Sequence, residues 1–377
     1  MAHLGEDIKK LGFGLMRLPK LGERIDIEQV KTMVDRFMTA GFTYFDTAWA
    51  YPGSEDAIRK ALVERYPREA FQLATKNAAW IQCTSRDDAR KQFETSLAQS
   101  GAGYFDFYLL HNLGAGRTRV FDDFNMWAFV QEKKQQGLIR HIGFSAHATA
   151  EELEAILSAH PEAEFVQIQI NYADWENPAI QARACYEVTR RHGKPVIVME
   201  PVKGGLLANP PEPVAEILRQ ANPDMSFASW AIRFAASLEG VLTVLSGMSN
   251  LEQMDDNLSF MKDFNPLTED EMKTVDEAQK ALAAIPLIPC TVCDYCATVC
   301  PENIGISGTF TGMNYLTLYK DKAAALLWEG WHVAGHGKKR ASECIKCGEC
   351  ENACPQHIAI RDELDKAVER LGLNEAG

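Results

Sequence analysis

DIEQVKTMVDRFMTAGFTYFD, residues 26–46, carries one complete unit of the pattern that decides the fold. Asp26 and Gln29 form a capping-box pattern ahead of an apolar stripe at helical spacing, and Gly41 is the residue type that commonly ends a helix. The apolar run at 43–46 is typical of a strand that is buried on both faces of a parallel sheet. The stretch therefore predicts a helix followed by a buried strand.

The same alternation of strand and helix patterns extends over residues 11–245. One of the intervening helices is predicted to begin at Asn177-Pro178 and to end before Gly193. The eight apolar runs of strand length lie at residues 11–18, 43–46, 71–76, 104–110, 139–145, 165–170, 195–199 and 241–245. Eight such units predict an α/β fold of the (β/α)8 TIM-barrel type. A doubly wound open sheet is the alternative, but such sheets usually contain five or six strands.

Charge and hydropathy limit the classes of function. The 377 residues include 39 Lys and Arg against 52 Asp and Glu, a formal net charge of −13. This balance argues against a nucleic-acid-binding protein, since phosphate contacts need clustered basic residues. No apolar run approaches the roughly 18 residues that would span a membrane, and the first ten residues contain no apolar signal segment. We therefore expect a cytoplasmic protein with no membrane and no nucleic-acid partner.

Eight of the ten cysteines lie between residues 290 and 354, in two quartets of identical spacing. Each quartet is followed by proline and matches the C-x2-C-x2-C-x3-C-P run of bacterial ferredoxins, in which the fourth cysteine ligates the other cluster. Zinc, the alternative, favours two CxxC pairs with a long gap. The quartets therefore predict two [4Fe–4S] clusters with interleaved ligands: Cys290, Cys293, Cys296 and Cys354 for one, and Cys344, Cys347, Cys350 and Cys300 for the other.

A domain boundary is predicted where the helical pattern stops. The pattern continues to residue 284, and the segment IPLIP at 285–289 interrupts it just before the first cysteine. We predict a barrel domain over residues 1–284. A small ferredoxin-like α+β domain with both clusters is predicted over residues 285–377.

Polar residues mark the ends of three successive barrel strands. Asp46, Lys76 and His111 each close an apolar strand, and Tyr51 follows the second strand after a short interval. Active sites of (β/α)8 enzymes lie at the carboxyl ends of the strands. Together these residues form an acid–base set in which Lys76 lowers the pKa of Tyr51, Asp46 holds the ammonium group, and His111 orients a carbonyl.

Several stretches resemble the aldo/keto reductases. They are LGFGLMRLP at 11–19, FDTAWAY at 45–51, LATK at 73–76, DFYLLHN at 106–112, IGFSAH at 142–147 and LSGMSNLEQMDDN at 245–257. The resemblance implies a catalytic tetrad of Asp46, Tyr51, Lys76 and His111. With the cysteine-rich tail, including CIKCGECENACPQHIAIRDEL at 344–364, the chain resembles the iron–sulfur-containing branch of that family.

The resemblance also implies a nicotinamide dinucleotide bound in extended form across the barrel mouth. The implied contacts are Ser145, Gln167 and Met199 at strand ends, and Gly247, Ser249, Asn250, Gln253 and Asn257 after the eighth strand. Three positions depart from the family pattern. Met199 stands where an aromatic residue is common, Ala146 replaces an asparagine, and Gly247 and Gln253 stand where basic residues often bind the 2′-phosphate. These departures leave NADP(H), NAD(H) and a flavin open.

The leading hypothesis is an oxidoreductase that reduces a small carbonyl substrate, or oxidises the corresponding alcohol, with nicotinamide hydride. Since hydride transfer moves two electrons and each cluster moves one, a flavin or a one-electron carrier protein, ferredoxin or flavodoxin, would couple them. One alternative is an electron-transfer or redox-sensing module with little turnover of its own. The other is that the clusters stabilise the tail without redox work.

Overall fold

In the computed structural model, which describes residue 4, residues 7–114 and residues 116–373, eight parallel strands form a closed barrel. Numbered along the chain, neighbours around the barrel follow the order β1-β8-β7-β6-β5-β4-β3-β2. The strands are β1 Leu11–Gly14, β2 Tyr44–Asp46, β3 Gln72–Asn77, β4 Phe105–Leu113, β5 Ile139–Ala146, β6 Phe165–Gln169, β7 Val196–Met199 and β8 Val241–Ser246. The predicted TIM barrel is confirmed.

Two strands differ from the prediction by more than one residue at the carboxyl end. β1 ends at Gly14, and Leu15–Arg17 forms a 3-10 turn instead of continuing the strand to residue 18. β4 extends through Leu113, so that His111 lies inside the strand. A short antiparallel pair, Lys20–Leu21 with Arg24–Ile25, precedes the first helix.

Helices follow the barrel strands as the capping patterns predict. Asp26 accepts a hydrogen bond from Gln29 N, and Thr149 with Glu152 forms a complete capping box. The helices of this part are α1 Ile27–Thr39, α2 Ser54–Ile58 with a π-helical turn Arg59–Val63, α3 Arg86–Ser100, α4 Thr118–Asp123, α5 Met126–Gln135, α6 Ala150–Ala159, α7 Ala182–Arg191, α8 Glu212–Ala221, α9 Phe227–Ser237, α10 Leu251–Met261 and α11 Glu269–Ala283. Two further 3-10 turns are Arg68–Ala70 and Lys203–Ala208.

The predicted helix start at Asn177-Pro178 is wrong. Asn177 Oδ1 accepts hydrogen bonds from the backbone of Ala179 and Ile180, as a cap does. Gln181, however, has φ +55°, a left-handed conformation that interrupts a helix, and α7 begins only after it.

Large apolar side chains fill the barrel, as expected of strands buried on both faces. Aromatic rings from alternate strands make edge-on contacts, such as Tyr44 with Phe107 at 5.0 Å and Phe107 with Phe165 at 5.2 Å. The buried members of this cluster are Tyr44, Ala74, Phe107, Leu109, Phe165, Ile197 and Leu245. The packed interior leaves the strand ends as the place where polar side chains can meet.

The chain divides into two compact units. The barrel unit runs through Val202 and resumes at Ala221–Val275, while the second unit comprises Lys203–Gln220 and the chain from Asp276 onward. The second unit therefore starts before residue 284 and also takes in the segment after β7, because that segment packs against residues of the cysteine-rich part (below).

The described part of the second unit is helical apart from one isolated parallel bridge, Ile304 with Lys339. Its helices beyond α11 are α12 Tyr295–Val299, α13 Ile306–Tyr319, α14 Lys322–His332, α15 Glu349–Ala353 and α16 Ile360–Leu371, with 3-10 turns at Ala334–His336 and Ala341–Glu343. None of the described helices in either unit combines the length and apolar character that crossing a membrane requires.

Candidate active site and cluster sites

Strands β2 and β3 bring a buried ion pair to the carboxyl end of the barrel. Lys76 Nζ donates to Asp46 Oδ1 at 2.5 Å and to Thr47 O at 2.7 Å. The two charged side chains are 0% and 4% exposed. Burial lowers the pKa of Lys76 and raises the pKa of Asp46, and the opposite charge of each partner counteracts those shifts. The pair thus keeps an ammonium group fixed at the strand ends.

Tyr51 and His111 lie beside this ion pair. Lys76 Nζ is 5.0 Å from the centroid of the Tyr51 ring, and the rings of Tyr51 and His111 are 5.9 Å apart and nearly perpendicular. Tyr51 reaches this position from the turn between β2 and α2, where its backbone N donates to Ala48 O. All four residues of the predicted acid–base set are therefore neighbours.

The histidine of this set is held in its neutral form. His111 is 4% exposed, and burial is the largest cause of a pKa well below 6.5. The positive charges of Lys76, His147 and Arg117 lower the pKa further. A neutral imidazole carries a single N–H, so His111 can donate one hydrogen bond without adding a formal charge.

Glu55 is a second buried carboxylate near Lys76 that the sequence did not single out. It is 2% exposed on α2, and its Oε1 accepts a hydrogen bond from Thr75 Oγ1 at 2.6 Å. Burial raises the pKa of Glu55, and the charge of Lys76 counteracts that rise. Acidic residues are common in the first turn of helices for reasons unrelated to catalysis, so the sequence offered no signal for this one.

Arg117 was also missed. It follows β4, is 8% exposed, and its Nε donates to Asn112 O at 2.8 Å. Asn112 is adjacent to His111 and has a left-handed φ of +63°. The guanidinium of Arg117 therefore supports the strained peptide beside His111, a role that depends on tertiary contact and leaves no pattern in the sequence.

The predicted nicotinamide contacts on β5, β6 and β7 lie next to one another. Ser145 pairs in register with Gln167, and the next inward position of β6, Gln169, pairs with Met199. Gln167 Nε2 is 3.7 Å from Met199 Sδ, and Ser145 Oγ accepts a hydrogen bond from Asn112 N at 2.9 Å.

Three buried amide atoms at these strands fit a polar ligand. Gln167 Oε1 and both side-chain amide atoms of Asn112 have no hydrogen-bond partner among the described residues. Buried polar groups are almost always paired. A carboxamide, which has both an acceptor and donors, would pair with them.

The predicted phosphate contacts after β8 are partly engaged in capping α10. Asn250 Oδ1 accepts from Gln253 N at 2.8 Å, and Gln253 Oε1 accepts from Ser249 N at 2.7 Å. Asn257 is buried and its Nδ2 donates to Ser246 Oγ at 2.6 Å. The Ser249 N–H is thus directed at Gln253 in this conformation.

A basic residue lies against the same loop. The Cβ and Cδ atoms of Arg17 are 4.0 Å from the position that a Cβ on Gly247 would occupy. Arg17 follows β1 and is distant from this loop along the chain, so no local pattern in the sequence indicates it as a partner for a 2′-phosphate.

The eight clustered cysteines line two cavities, each with the interleaved composition that the motif predicts. One cavity is lined by Cys290, Cys293, Cys296 and Cys354. The other is lined by Cys300, Cys344, Cys347 and Cys350. In the described part of the chain, no three Cys, His, Asp or Glu side chains are placed to hold a single metal ion.

The two cysteine motifs repeat each other in backbone conformation. Val292 and Lys346 occupy the same place in their motifs, and both have a left-handed φ, +54° and +59°. Two further pairs of equivalent positions also have a left-handed φ: Asp294 and Gly348, and Asn303 and His357.

Backbone N–H groups donate to cysteine sulfurs from these turns. The N–H of Val292 lies 3.4 Å from Cys290 Sγ, and that of Lys346 lies 3.4 Å from Cys344 Sγ. Such hydrogen bonds are among the interactions that tune sulfur-ligated iron clusters. The first three cysteines of each motif therefore line one cavity, and the fourth lines the other.

Comparison with protein families gives two matches along the chain. The sequence model of the Aldo/keto reductase family matches residues 10–280, and that of the 4Fe-4S dicluster domain matches residues 289–359. An aldo-keto reductase of Mycolicibacterium smegmatis is 28% identical over 258 residues, 68% of this chain and 84% of that protein. The uncharacterized oxidoreductase YqkF of Bacillus subtilis is 23% identical over 305 residues, covering 73% of this chain and 94% of its own length.

Solved structures share the barrel. The holo form of aldo-keto reductase AKR11C1 from Bacillus halodurans has a TM-score of 0.55 at 23% identity, and covers 73% of this chain and 93% of its own. An aldo/keto reductase from Klebsiella pneumoniae, solved with NADP and acetate, has a TM-score of 0.57 at 20% identity over 71% of this chain and 90% of its own. At these identities the likeness supports the fold.

Proposed function

Because this chain belongs to the aldo/keto reductase family, we propose that it is a nicotinamide-dependent oxidoreductase acting on the carbonyl or alcohol group of a small molecule. The observation that carries the proposal is the buried Asp46–Lys76 ion pair, 5.0 Å below the ring of Tyr51 and next to His111. A fixed ammonium group beside a tyrosine is the arrangement that prepares a phenol to donate or accept a proton.

The four residues would divide the proton chemistry among them. When bound, the nicotinamide ring supplies or accepts hydride. Tyr51 would give its phenolic proton to the oxygen of the substrate carbonyl. Lys76 would lower the pKa of that phenol, and Asp46 would keep Lys76 charged inside the barrel. His111, neutral because its pKa is low, would orient the same oxygen with its single N–H.

The strand ends provide the groups that would hold the nicotinamide. Ser145, Gln167 and Asn112 would bind its carboxamide, the last of these in place of the asparagine that Ala146 replaces. Met199 would pack against the ring, and the loop from Gly247 to Asn257 would contact the adenosine phosphates. The proposal includes NADP(H) or NAD(H), and a flavin remains compatible with the loss of the aromatic residue at Met199.

We expect the protein to bind NADPH only moderately more tightly than NADH. Gly247 and Gln253 carry no positive charge to pair with a 2′-phosphate, and Arg17 is a basic side chain beside the loop. The expected preference for NADPH is below roughly 10³-fold, about 4 kcal/mol. Fluorescence titration with both cofactors measures it, and Arg17→Met should reduce NADPH affinity while leaving NADH affinity unchanged. A preference well above 10³-fold would contradict this expectation.

The two cysteine-lined cavities would hold two [4Fe–4S] clusters. We name the group held by Cys290, Cys293, Cys296 and Cys354 the first cluster, and the group held by Cys344, Cys347, Cys350 and Cys300 the second cluster. The fit rests on the four cysteines that line each cavity and on the N–H groups that donate to sulfurs of Cys290 and Cys344. Such clusters supply one-electron transfer, which is compatible with a ferredoxin or flavodoxin as partner and with a cytoplasmic location.

A second candidate function is electron transfer or redox sensing, with little carbonyl turnover. The observation that favours it is the presence of two complete quartets, which exceeds what a structural metal site requires. Turnover after selective loss of the clusters separates the two candidates. If the folded, cluster-free protein reduces its substrate from NADPH at the full rate, the clusters do not serve that reaction.

The electron source of the clusters can be identified by testing which reductant reduces them. A low-potential chemical reductant is expected to produce a reduced-cluster EPR signal, whereas NADPH alone is not, because it delivers its electrons as a hydride pair. The measurement is EPR spectroscopy of anaerobically prepared protein whose visible spectrum shows whether flavin is bound. A cluster signal from NADPH in flavin-free protein would contradict this expectation.

A further inference from the structure

Lys203 is a buried lysine in the second unit for which the proposed chemistry has no use. It is 6% exposed and has a left-handed φ of +46°. Gly204 and Gly205, which follow it, also have positive φ, +66° and +102°. Left-handed φ is uncommon for a residue with a long side chain, and strained backbone of this kind concentrates at functional sites.

The segment that carries Lys203 is shaped against the turn of the first cysteine motif. A Cβ on Gly204 would stand 2.7 Å from Thr291 O and 2.9 Å from Thr291 Cα. Thr291 is 1% exposed and directly follows Cys290. Only glycine permits this approach, so the position of Lys203 is fixed relative to the ligand turn of the first cluster.

The ammonium group of Lys203 contacts a residue that lines the cavity of the first cluster. Lys203 Nζ lies 3.5 Å from Gln356 Oε1, and Gln356 lines that cavity together with the four cysteines. Gln356 is 3% exposed. Gln356 thus borders both a buried lysine and the place of the cluster.

We propose that Lys203 is the buried counter-charge of the first cluster and raises its reduction potential. The proposal rests on the proposed function in one respect, that the first cavity holds a [4Fe–4S] cluster. Reduction adds one electron from an external low-potential reductant, with no bond made or broken, and the added negative charge stays on the cluster. A cation that is shielded from water stabilises that charge far more than a solvated one, since Coulomb energy scales inversely with the dielectric constant. Net charge and solvent exposure are among the factors that set cluster potentials.

The second cluster offers a matched comparison. Lys346 lies between two of its ligands, Cys344 and Cys347, so it is close in sequence to the cluster. Its side chain is 58% exposed, and its Nζ pairs with Asp365 at 2.8 Å. Solvent screens the charge of this exposed side chain, so Lys346 should have little effect on the potential although it lies nearer to its ligands along the chain.

The test is an EPR-monitored potentiometric titration of the anaerobically prepared full chain. Lys203→Met removes the charge and keeps the length of the side chain, Lys203→Arg keeps the charge, and Lys346→Met is the matched control. We expect Lys203→Met to disfavour reduction of one cluster by about tenfold, a shift of 59 mV for a one-electron couple. Lys203→Arg should restore most of that shift, and Lys346→Met should move neither potential by more than about a third as much.

The same titration of Lys203→Met in a Cys300→Ser background identifies the cluster whose potential shifts. In that background the first cluster is expected to persist. Unchanged potentials in Lys203→Met at full iron content would overturn the proposal, as would an equal shift in Lys346→Met. If Lys203→Met fails to incorporate iron, Lys203→Gln tests the same charge. Wild-type protein without [4Fe–4S] signals would instead contradict the proposed function, so the two failures are distinguishable.

Discussion

Tyr51→Phe is expected to lower kcat by about 10² or more, the range that loss of a positioned proton donor produces. The reason is that the phenolic oxygen would be the sole proton donor to the substrate oxygen, with Lys76 Nζ held near the ring by Asp46. The ring itself remains, so cofactor affinity should be nearly unchanged. Steady-state kinetics with a generic aldehyde and fluorescence titration of the cofactor measure the two quantities separately.

Tyr319→Phe is the matched control for this substitution. Tyr319 is 64% exposed at the end of α13 in the second unit, so loss of its hydroxyl should leave kcat as in the wild type. Wild-type turnover by Tyr51→Phe would remove Tyr51 from the proposed mechanism. A lower kcat in both variants would indicate that the substitutions affect the protein generally and not the proton transfer.

The second large effect is expected from Cys300→Ser. The wild-type chain should bind about eight irons after anaerobic preparation, as two four-iron clusters would. Cys300 belongs to the first motif by sequence, yet it lines the cavity of Cys344, Cys347 and Cys350. Its replacement should therefore reduce iron content to about four and abolish the EPR signal of the second cluster.

Cysteines outside the quartets provide the controls. Cys185 is buried, and Cys83 is a half-buried thiol near Gln92, and both lie in the barrel unit. Cys83→Ser and Cys185→Ser should leave iron content unchanged. Loss of the first cluster alone in Cys300→Ser would mean that the ligands are not interleaved.

The sequence predicted the barrel and the tetrad because both follow from local patterns. Buried parallel strands are continuous apolar runs. Asp46 and Lys76 each follow such a run directly, so each is expected at a strand end, where the active sites of these barrels lie. Since all strands of the barrel are parallel, those ends come together, which is how His111 was grouped with them. The cysteine quartets were predictable for a similar reason, because their spacing is a chemical signature.

What the sequence could not predict depends on contacts between distant segments. Glu55 resembles any acidic residue at a helix start, and Arg117 acquires its role only through the carbonyl of Asn112. Lys203 lies in a glycine-containing loop, and its association with Gln356 joins residues more than 150 positions apart. The helix predicted to begin at residue 178 was wrong because Gln181 adopts a left-handed conformation. No local sequence pattern indicates that conformation.

In the proposed reaction the barrel transfers hydride from nicotinamide, with proton donation by Tyr51. The decisive experiment follows deuterium from NADPH that carries deuterium at both C4 positions into the alcohol formed from a generic aromatic aldehyde, with mass spectrometry of the product. We expect deuterium-labelled alcohol from the wild type, and labelled alcohol at a rate lower by a factor of about 10² or more from Tyr51→Phe. Unlabelled alcohol, or no alcohol from wild-type protein with intact clusters and bound cofactor, would contradict it.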